Sequence, residues 1–575
     1  MFVIYGIMSV MDKYQKLLTE WCDYLLSQQI TDQSDPYYGG FRCESCDFPH
    51  GRADNAVYPF VYLYTLTGEQ KYLDGARALL VFRKKLTSEV GSVHNDFSSP
   101  WEGITAFSAI NLLKTFLYFG KNLPEDFARE VESAATASAR WVHENMVVGF
   151  HSNVNYYAAA SLVNALYASL YKDEGYFKRA RELLAYCLNL FTSNGLLSGE
   201  AQPHDNRSPN GCLPIDIGYI VEESMPCLLH TAALLEDDDA MDALTHHATY
   251  LLNFFLPNGG WDNSFGVRNN KWTYYGSRTS DGCLGMFAAL AIRNAEFGEI
   301  AERIFRMLRY CTRDGKLYGG PHYFAAKQPA CVHHTFCHAC ALTDAIMEHM
   351  QEPRERMWLQ IDQEGGEYAY YPEINTYKIH IGPFRATVTG YDYATYTYSN
   401  GAAHAGGGTI SLLYRDGRGP IIAGSVYEYK PTEKNNMQLP VGNLRHATLL
   451  VRAEYEKDGV KYATCLDKNP EIKRNFEVDG VSVSVKARFF AVETQAPEND
   501  DLVAEFNYLF DENQVTISVK KINENIKFVM PIIVNSALVF TENRYEKQPI
   551  FFLTGGFMAD EYTFPLDQDV SVIIR

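Results

Sequence analysis

The chain has 575 residues, roughly four times an ordinary domain, so one to three domains with a large core are expected. Its 46% apolar and 21% charged content excludes a disordered chain. With 51 Lys and Arg against 70 Asp and Glu, the net charge of −19 argues against a general binder of nucleic acid or of anionic membranes. An acidic substrate would need a locally basic pocket.

The N-terminal MFVIYGIMSVM is short, lacks a basic leading region and carries no convincing cleavage site. It reads as a poor secretory signal, and Met8 or Met11 is an alternative start. No run reaches the ~18 consecutive apolar residues of a membrane span. Twelve Cys in a chain this long do not make a disulfide scaffold. The expectation is a cytoplasmic protein with reduced thiols. Among them, Cys43 and Cys46 form a CxxC followed by His50, half of a zinc-site spacing. Two plain buried thiols are the other reading, and the lack of a βαβ context excludes a thioredoxin-like motif.

From Met11 to about Met350 the pattern is amphipathic helix. Strongly apolar helices are predicted to begin near Asp54, Gly103, Val154, Ile217, Ser280 and His334, at spacings near 50 to 60 residues. Most are followed by a more charged helix, such as EDFAREVESAATASARWVHENM. Six apolar helices alternating with polar ones predict an (α/α)6 toroid over residues 1–350, the apolar helices forming the inner ring. From about Arg356 the period shortens to two, in segments such as VSVSVKARFFAVET bounded by Gly, Asn and Asp. That predicts an antiparallel β-sandwich of some 12 to 16 strands over residues 351–575, touching the toroid because little Pro or Gly marks the join.

In a double ring of helix pairs, every loop leading into an inner helix opens at the same end. Here those loops carry Arg52, Trp101, Asn155 with Tyr156, Tyr219 with Glu222 and Glu223, Tyr275 with Arg278, and His333 with His334. Capping and turn formation explain many such residues singly, but six polar, aromatic loops at one rim point to a site. Residues 262–281 include Arg268, Lys271 and Arg278, a basic and aromatic run in an acidic protein, suited to a sugar carboxylate or else to helix capping. His334 and His338 share a helical face at metal-pair spacing without an HExxH glutamate, so substrate binding, metal binding and core packing all stay open.

A helical toroid followed by a β-sandwich resembles the heparinase II/III-like and alginate-lyase-like polysaccharide lyases, at the level of architecture over nearly the whole chain. Such lyases present Asn or His where an inner helix begins, a catalytic Tyr one repeat later and His near the domain join. Asn155, Tyr219, and His333 with His334 stand in those places here, and His404 in HAGGGTISL is similar to the family's His-containing strand start. The resemblance implies β-elimination at a 4-linked uronic acid. The sugar carboxylate must be neutralised, and Asn155, Arg278 and His334 are candidates. A base then takes the C5 proton, Tyr219 or a His, and an acid protonates the leaving oxygen, with Tyr275, Tyr219 and His204 in view. Arg52, Trp101, Glu223, His333 and His404 are assigned to substrate binding, and Cys43 with Cys46 to a structural zinc, no cofactor being required for the reaction.

The partner is then an acidic oligosaccharide or polysaccharide, not nucleic acid or membrane. Two alternatives remain. One is a glycoside hydrolase of the unsaturated-glucuronyl type, which needs two carboxyls from among Asp54, Glu102, Asp216, Glu222, Glu223 and Asp262. The other is a non-catalytic carbohydrate-binding protein.

Overall fold

The computed structural model describes residues 2–46, 49–268, 282–320, 323–349, 368–393, 404–424, 426–427, 448–477, 480–492, 497–552 and 557–575. Six helices form an inner ring: Val57–Thr67, Thr105–Phe119, Val154–Tyr171, Met225–Leu234, Cys283–Leu290 and Val332–His349. Between them lie the outer helices Gln70–Lys84, Glu125–Asn145, Glu174–Leu188, Asp238–Leu251 and Ala295–Tyr310. Burial separates the two rings. Thr105–Phe119 buries twelve of its fifteen residues, whereas Glu125–Asn145 buries seven of twenty-one. A helix apolar all round belongs inside, and one with a single apolar stripe belongs outside.

Local chemistry sets the helix ends. Asp173, Asp237 and Asn294 accept backbone N–H bonds at the starts of three outer helices. Gly68 ends the first inner helix at φ 73°, where a side chain would be strained. The ring closes on itself: the first helix, Phe2–Gln28, packs against the last inner helix as the sixth outer partner. Trp21 Nε1 donates to Thr312 Oγ1 at 2.9 Å, and Arg309 pairs with Glu20. First and last helices of the helical domain that meet in this way make a toroid, not an open superhelix.

Beyond residue 367 the described residues form sixteen strands in three antiparallel sheets. The first is a meander from Tyr368–Tyr371 to Gly419–Ala423. A five-stranded sheet centred on Lys527–Ile533 and a six-stranded one containing Val503–Asp511 complete the set. Val503–Asp511 alternates buried and open residues, as a strand with one wet face must. Thr409–Arg415, by contrast, is buried on both faces. Its Leu412 and Tyr414 join the toroid core while Ile410 and Leu413 join the sandwich core, so the first sheet is a middle layer.

Polar contacts lock the layers together. Asp262 accepts from Lys378 and Thr387, and Glu373 accepts from Thr192 at 2.8 Å and Asn194 at 3.0 Å. Tyr391 donates to the Leu213 carbonyl at 2.9 Å, and Ser264 meets Ser411 at 2.8 Å. No helix among the described residues is long and apolar enough to cross a membrane.

Candidate active site

The loops that begin the inner helices do converge. The first is a 3-10 turn, Gly51–Ala56, pressed so closely on a neighbour that a Cβ on Gly51 would sit 2.0 Å from the Asn95 carbonyl oxygen. This turn aims Arg52 over the Phe107 ring, 4.2 Å from its centroid, and into an ion pair with Glu223 at 3.2 Å. Asn155, in the first turn of the third inner helix, donates from Nδ2 to the other Glu223 oxygen at 2.7 Å, and its own Oδ1 is buried with no hydrogen-bond partner. Glu223 reaches this place because Ile220–Ser224 is a π-helical turn leading directly into the fourth inner helix, a distortion common at functional sites.

Two turns of chain are tied together beside it. Asp216 caps the helical turn Ile217–Tyr219 that runs on toward the fourth inner helix, accepting from Tyr219 N at 3.2 Å, from Asn263 Nδ2 at 3.2 Å and from Arg268 N at 2.9 Å. The Arg268 guanidinium lies 4.4 Å over the Tyr219 ring, donates to its hydroxyl at 3.2 Å and stands 3.6 Å from Glu200. Asp216 itself is pushed up to about 6 by burial, against the pull of those N–H donors.

Tyr156 links the groups. Its hydroxyl accepts from Trp101 Nε1 at 3.3 Å, and its ring meets Trp101 edge-on at 5.6 Å and Phe107 at 5.8 Å. Burial, then Glu223, raises Tyr156 to about 12, with Arg268 and Arg52 pulling the other way. Trp101 stays 40% exposed at the outer lip, where a sugar face can reach it. Below, a cavity of about 90 Å³ runs down the toroid axis past Arg52 and Glu222. Its floor is an ion pair in which Lys114 meets both oxygens of Asp344 at 2.9 and 2.8 Å. His230 beside it is pushed down to about 4 by burial and by Lys114.

Other expected residues lie elsewhere or are otherwise engaged. His204 is buried, its Nδ1 2.8 Å from the Tyr186 hydroxyl and its Nε2 2.6 Å from the Ser152 carbonyl, so both ring nitrogens are committed to the protein. That is the geometry of a support beneath the Asn155 loop, which removes the reason for naming His204 as an acid. His338 Nδ1 lies 2.8 Å from the His334 carbonyl, and among the described residues neither imidazole belongs to a group of three or more side chains placed to hold a metal. His333 and His334 are buried in the first turn of the last inner helix, and the His333 ring stacks on His50 at 4.6 Å. His404 precedes the strand Thr409–Arg415, pushed down to about 4 by burial and Lys468. Tyr275 and Arg278 lie outside the described residues.

The carboxylates sort in the same way. Asp54 is fully buried against Arg83 at 3.0 Å and Ser108, Asp262 is engaged by Lys378, and Asp216 is a helix cap. Glu102 accepts from Ser92 at 2.5 Å. These four hold structure, so the carboxyl pair required by a hydrolase is reduced to the neighbours Glu222 and Glu223. Arg268 stood out in the sequence only as one cation of a basic run and Tyr156 only as the neighbour of Asn155 in a rim loop; Glu200 and Phe107 gave no signal.

Cys43, Cys46, His50 and Cys331 form a second group, with their ligand atoms all within 4.8 Å of one another and all four residues buried. Hydrogen bonds from Cys331 and Cys46 hold the Cys43 thiol well below its usual range. Burial pulls His50 down, but the sulfurs of Cys46 and Cys43 outweigh it and raise the imidazole to about 9.

Comparison with known proteins places the chain in a family. The family model of the ulvan lyase N-terminal domain matches residues 18–363, and that of the ulvan lyase C-terminal domain matches residues 368–550. A broad-specificity ulvan lyase of Formosa agariphila is 32% identical over 459 residues, covering 79% of this chain and 71% of that protein. Among solved structures, heparinase III superposes with a TM-score of 0.54 and 12% identity, over 99% of this chain and 89% of that one. At that identity the likeness concerns the fold.

Proposed function

Since the chain belongs to the ulvan lyase family, and is a polysaccharide lyase acting on uronic-acid glycans, we propose that its substrate is ulvan and that Tyr219 is the base of the β-elimination. The observation that carries the assignment is the Arg268 guanidinium bonded to the Tyr219 hydroxyl at 3.2 Å and lying over its ring. A C5 proton is too weakly acidic to leave while the uronate carboxylate is free. Arg52 and Asn155, both held on Glu223, supply the N–H donors that neutralise it and favour the enolate-like transition state.

The Tyr219 phenolate takes the C5 proton, the C–H pair becomes the C4–C5 double bond, and the C4–O bond breaks. The leaving oxygen takes a proton from Tyr156, whose high pKa keeps it protonated until the oxygen demands it. Arg268 on the Tyr219 hydroxyl and burial beside Glu223 at Tyr156 set the two tyrosines in different surroundings, which divides the roles of base and acid. Exchange with solvent restores both. Trp101 offers its face to a neighbouring sugar.

Zinc at the four-residue Cys and His cluster is a structural ion in this reading and takes no part in proton transfer. A cytoplasmic address and action on imported fragments belong to the same proposal, supported by twelve buried cysteines with no disulfide among them; fractionation of the native host's cells tests it. The reaction is tested by incubating the chain with ulvan and following the near-ultraviolet absorbance of a 4,5-unsaturated uronate. Cleavage without that absorbance would mean hydrolysis and return the argument to Glu222 and Glu223.

A further inference from the structure

We propose that Cys43, Cys46, His50 and Cys331 hold one zinc ion that clasps the toroid shut and sets the spacing of the two loops flanking the substrate cleft. The distances carry the argument. Cys331 Sγ lies 3.9 Å from Cys43 Sγ and 3.8 Å from Cys46 Sγ. Zinc–sulfur bonds of ~2.3 Å at a tetrahedral angle put two sulfurs about 3.8 Å apart. A disulfide would need ~2.05 Å. All four side chains are buried, and three sulfurs with one imidazole are a soft ligand set that selects zinc over calcium or magnesium. Four protein ligands fill the tetrahedron and leave no open position, which makes the site structural, not catalytic.

The topology gives the ion its task. Cys43 and Cys46 follow the first helix, and His50 is the residue from which the 3-10 turn carrying Arg52 begins. Cys331 directly precedes the last inner helix, 288 residues after Cys43. One ion therefore joins the first rim loop to the sixth, across the seam where the ring closes. His333, stacked on the His50 ligand, is fixed by the same joint. Cross-linking so long a segment restricts the unfolded chain most of all. Arg52 and His333 are then positioned by the ion without touching it.

Metal content is read without substrate, so its outcome is independent of the lyase assignment. The full-length chain, purified under reducing conditions, is expected to carry about one zinc by elemental mass spectrometry. Replacing zinc with cobalt should give intense tetrahedral visible bands and a thiolate-to-cobalt charge-transfer band, and Cys331→Ser should lower that band by about a third as one of three thiolates is lost. Should Cys331→Ser fail to fold, the cobalt spectrum of the unaltered chain decides. Stripping the metal should lower Tm and raise KM more than it lowers kcat, with recovery on adding zinc. A reduced chain that takes up neither zinc nor cobalt, a Cys43–Cys331 disulfide found by peptide mapping, or an equal Tm with and without metal would each overturn the proposal.

Discussion

One 3-10 turn, Gly51–Ala56, supplies both halves of an instructive contrast. Arg52 leaves it toward the cleft and pairs with Glu223, the side chains keeping 16% and 11% exposure. Asp54, two residues on, leaves it toward the core and pairs with Arg83 at 0% and 4%. Both are arginine–carboxylate pairs. The inner one is sealed, with Arg83 also donating to Ser108 and Ser138 and Asp54 accepting from Ser108. The outer one faces open space and shares its carboxylate with Asn155. A sealed pair holds helices together because breaking it strands a charge, whereas an open pair can exchange its partner for a substrate carboxylate.

That contrast predicts where mutations divide. The largest effect belongs to the chemistry at the open end: Tyr219→Phe should cost about 10²- to 10⁴-fold in kcat with an unchanged Tm. Wild-type turnover in that variant would remove Tyr219 from the mechanism. Next comes the sealed end. Arg83→Met leaves Asp54 without its cation and should lower stability by about 3–5 kcal/mol, read by denaturant titration. A loss below ~1 kcal/mol there would mean the two pairs do not differ in kind.

Asp216 lies between these extremes, being buried like Asp54 yet serving the reactive end like Glu223. Its folded pKa of about 6 is raised above the ordinary 3.8, so its contribution to stability is full below 3.8 and is lost as pH rises through about 6. At roughly 1.4 kcal/mol per unit, ionisation at neutral pH costs roughly 3 kcal/mol. Activity should run the other way, because the ionised carboxylate holds the backbone N–H groups of both Tyr219 and Arg268. The expected profile of kcat/KM therefore has an acid limb near pH 6 that Asp216→Asn abolishes, along with the stability slope between pH 4 and 6. An acid limb surviving in the variant would assign it to another group.

Much of this architecture was legible in the chain. The six apolar helices recur at nearly even spacing because each must fill the same inner ring, and the shift to a period of two marks the sheets. Distances across the ring were not legible. Arg268 reaches Tyr219 only because Asp216 ties two loops together, and nothing local to RNN or IGY records that. Cys43, Cys46 and His50 read as half of a metal site because the missing ligand, Cys331, is next to them only after the toroid closes. The His334–His338 spacing is the converse case: two imidazoles one turn apart are legible locally, but among the described residues no third ligand is brought to them across the ring.

Loss of the open pair itself should be milder than loss of the sealed one. Arg52→Ala removes one donor to the substrate carboxylate and its packing on Phe107, while Glu223 keeps Asn155 and access to water. About 10- to 100-fold in kcat/KM is expected, with less than ~1 kcal/mol in stability. Equal losses in both measurements would place Arg52 with the scaffold.

The smallest effect is expected where exposure is greatest. Trp101 meets Tyr156 and lies near Phe150, but at 40% exposed it holds little of the fold. Its hydrogen bond to the Tyr156 hydroxyl is the contact that gives it a second role. Trp101→Phe keeps an aromatic face and loses only the N–H, whereas Trp101→Ala loses both. If the ring serves as a sugar platform, Trp101→Ala should raise KM by roughly 5- to 10-fold, in keeping with about 1–1.5 kcal/mol for an aromatic contact. Trp101→Phe should then leave KM nearly unchanged. A drop in kcat shared by both variants would instead show that Trp101 acts through Tyr156, and would move the lip of the cleft into the proton-transfer machinery.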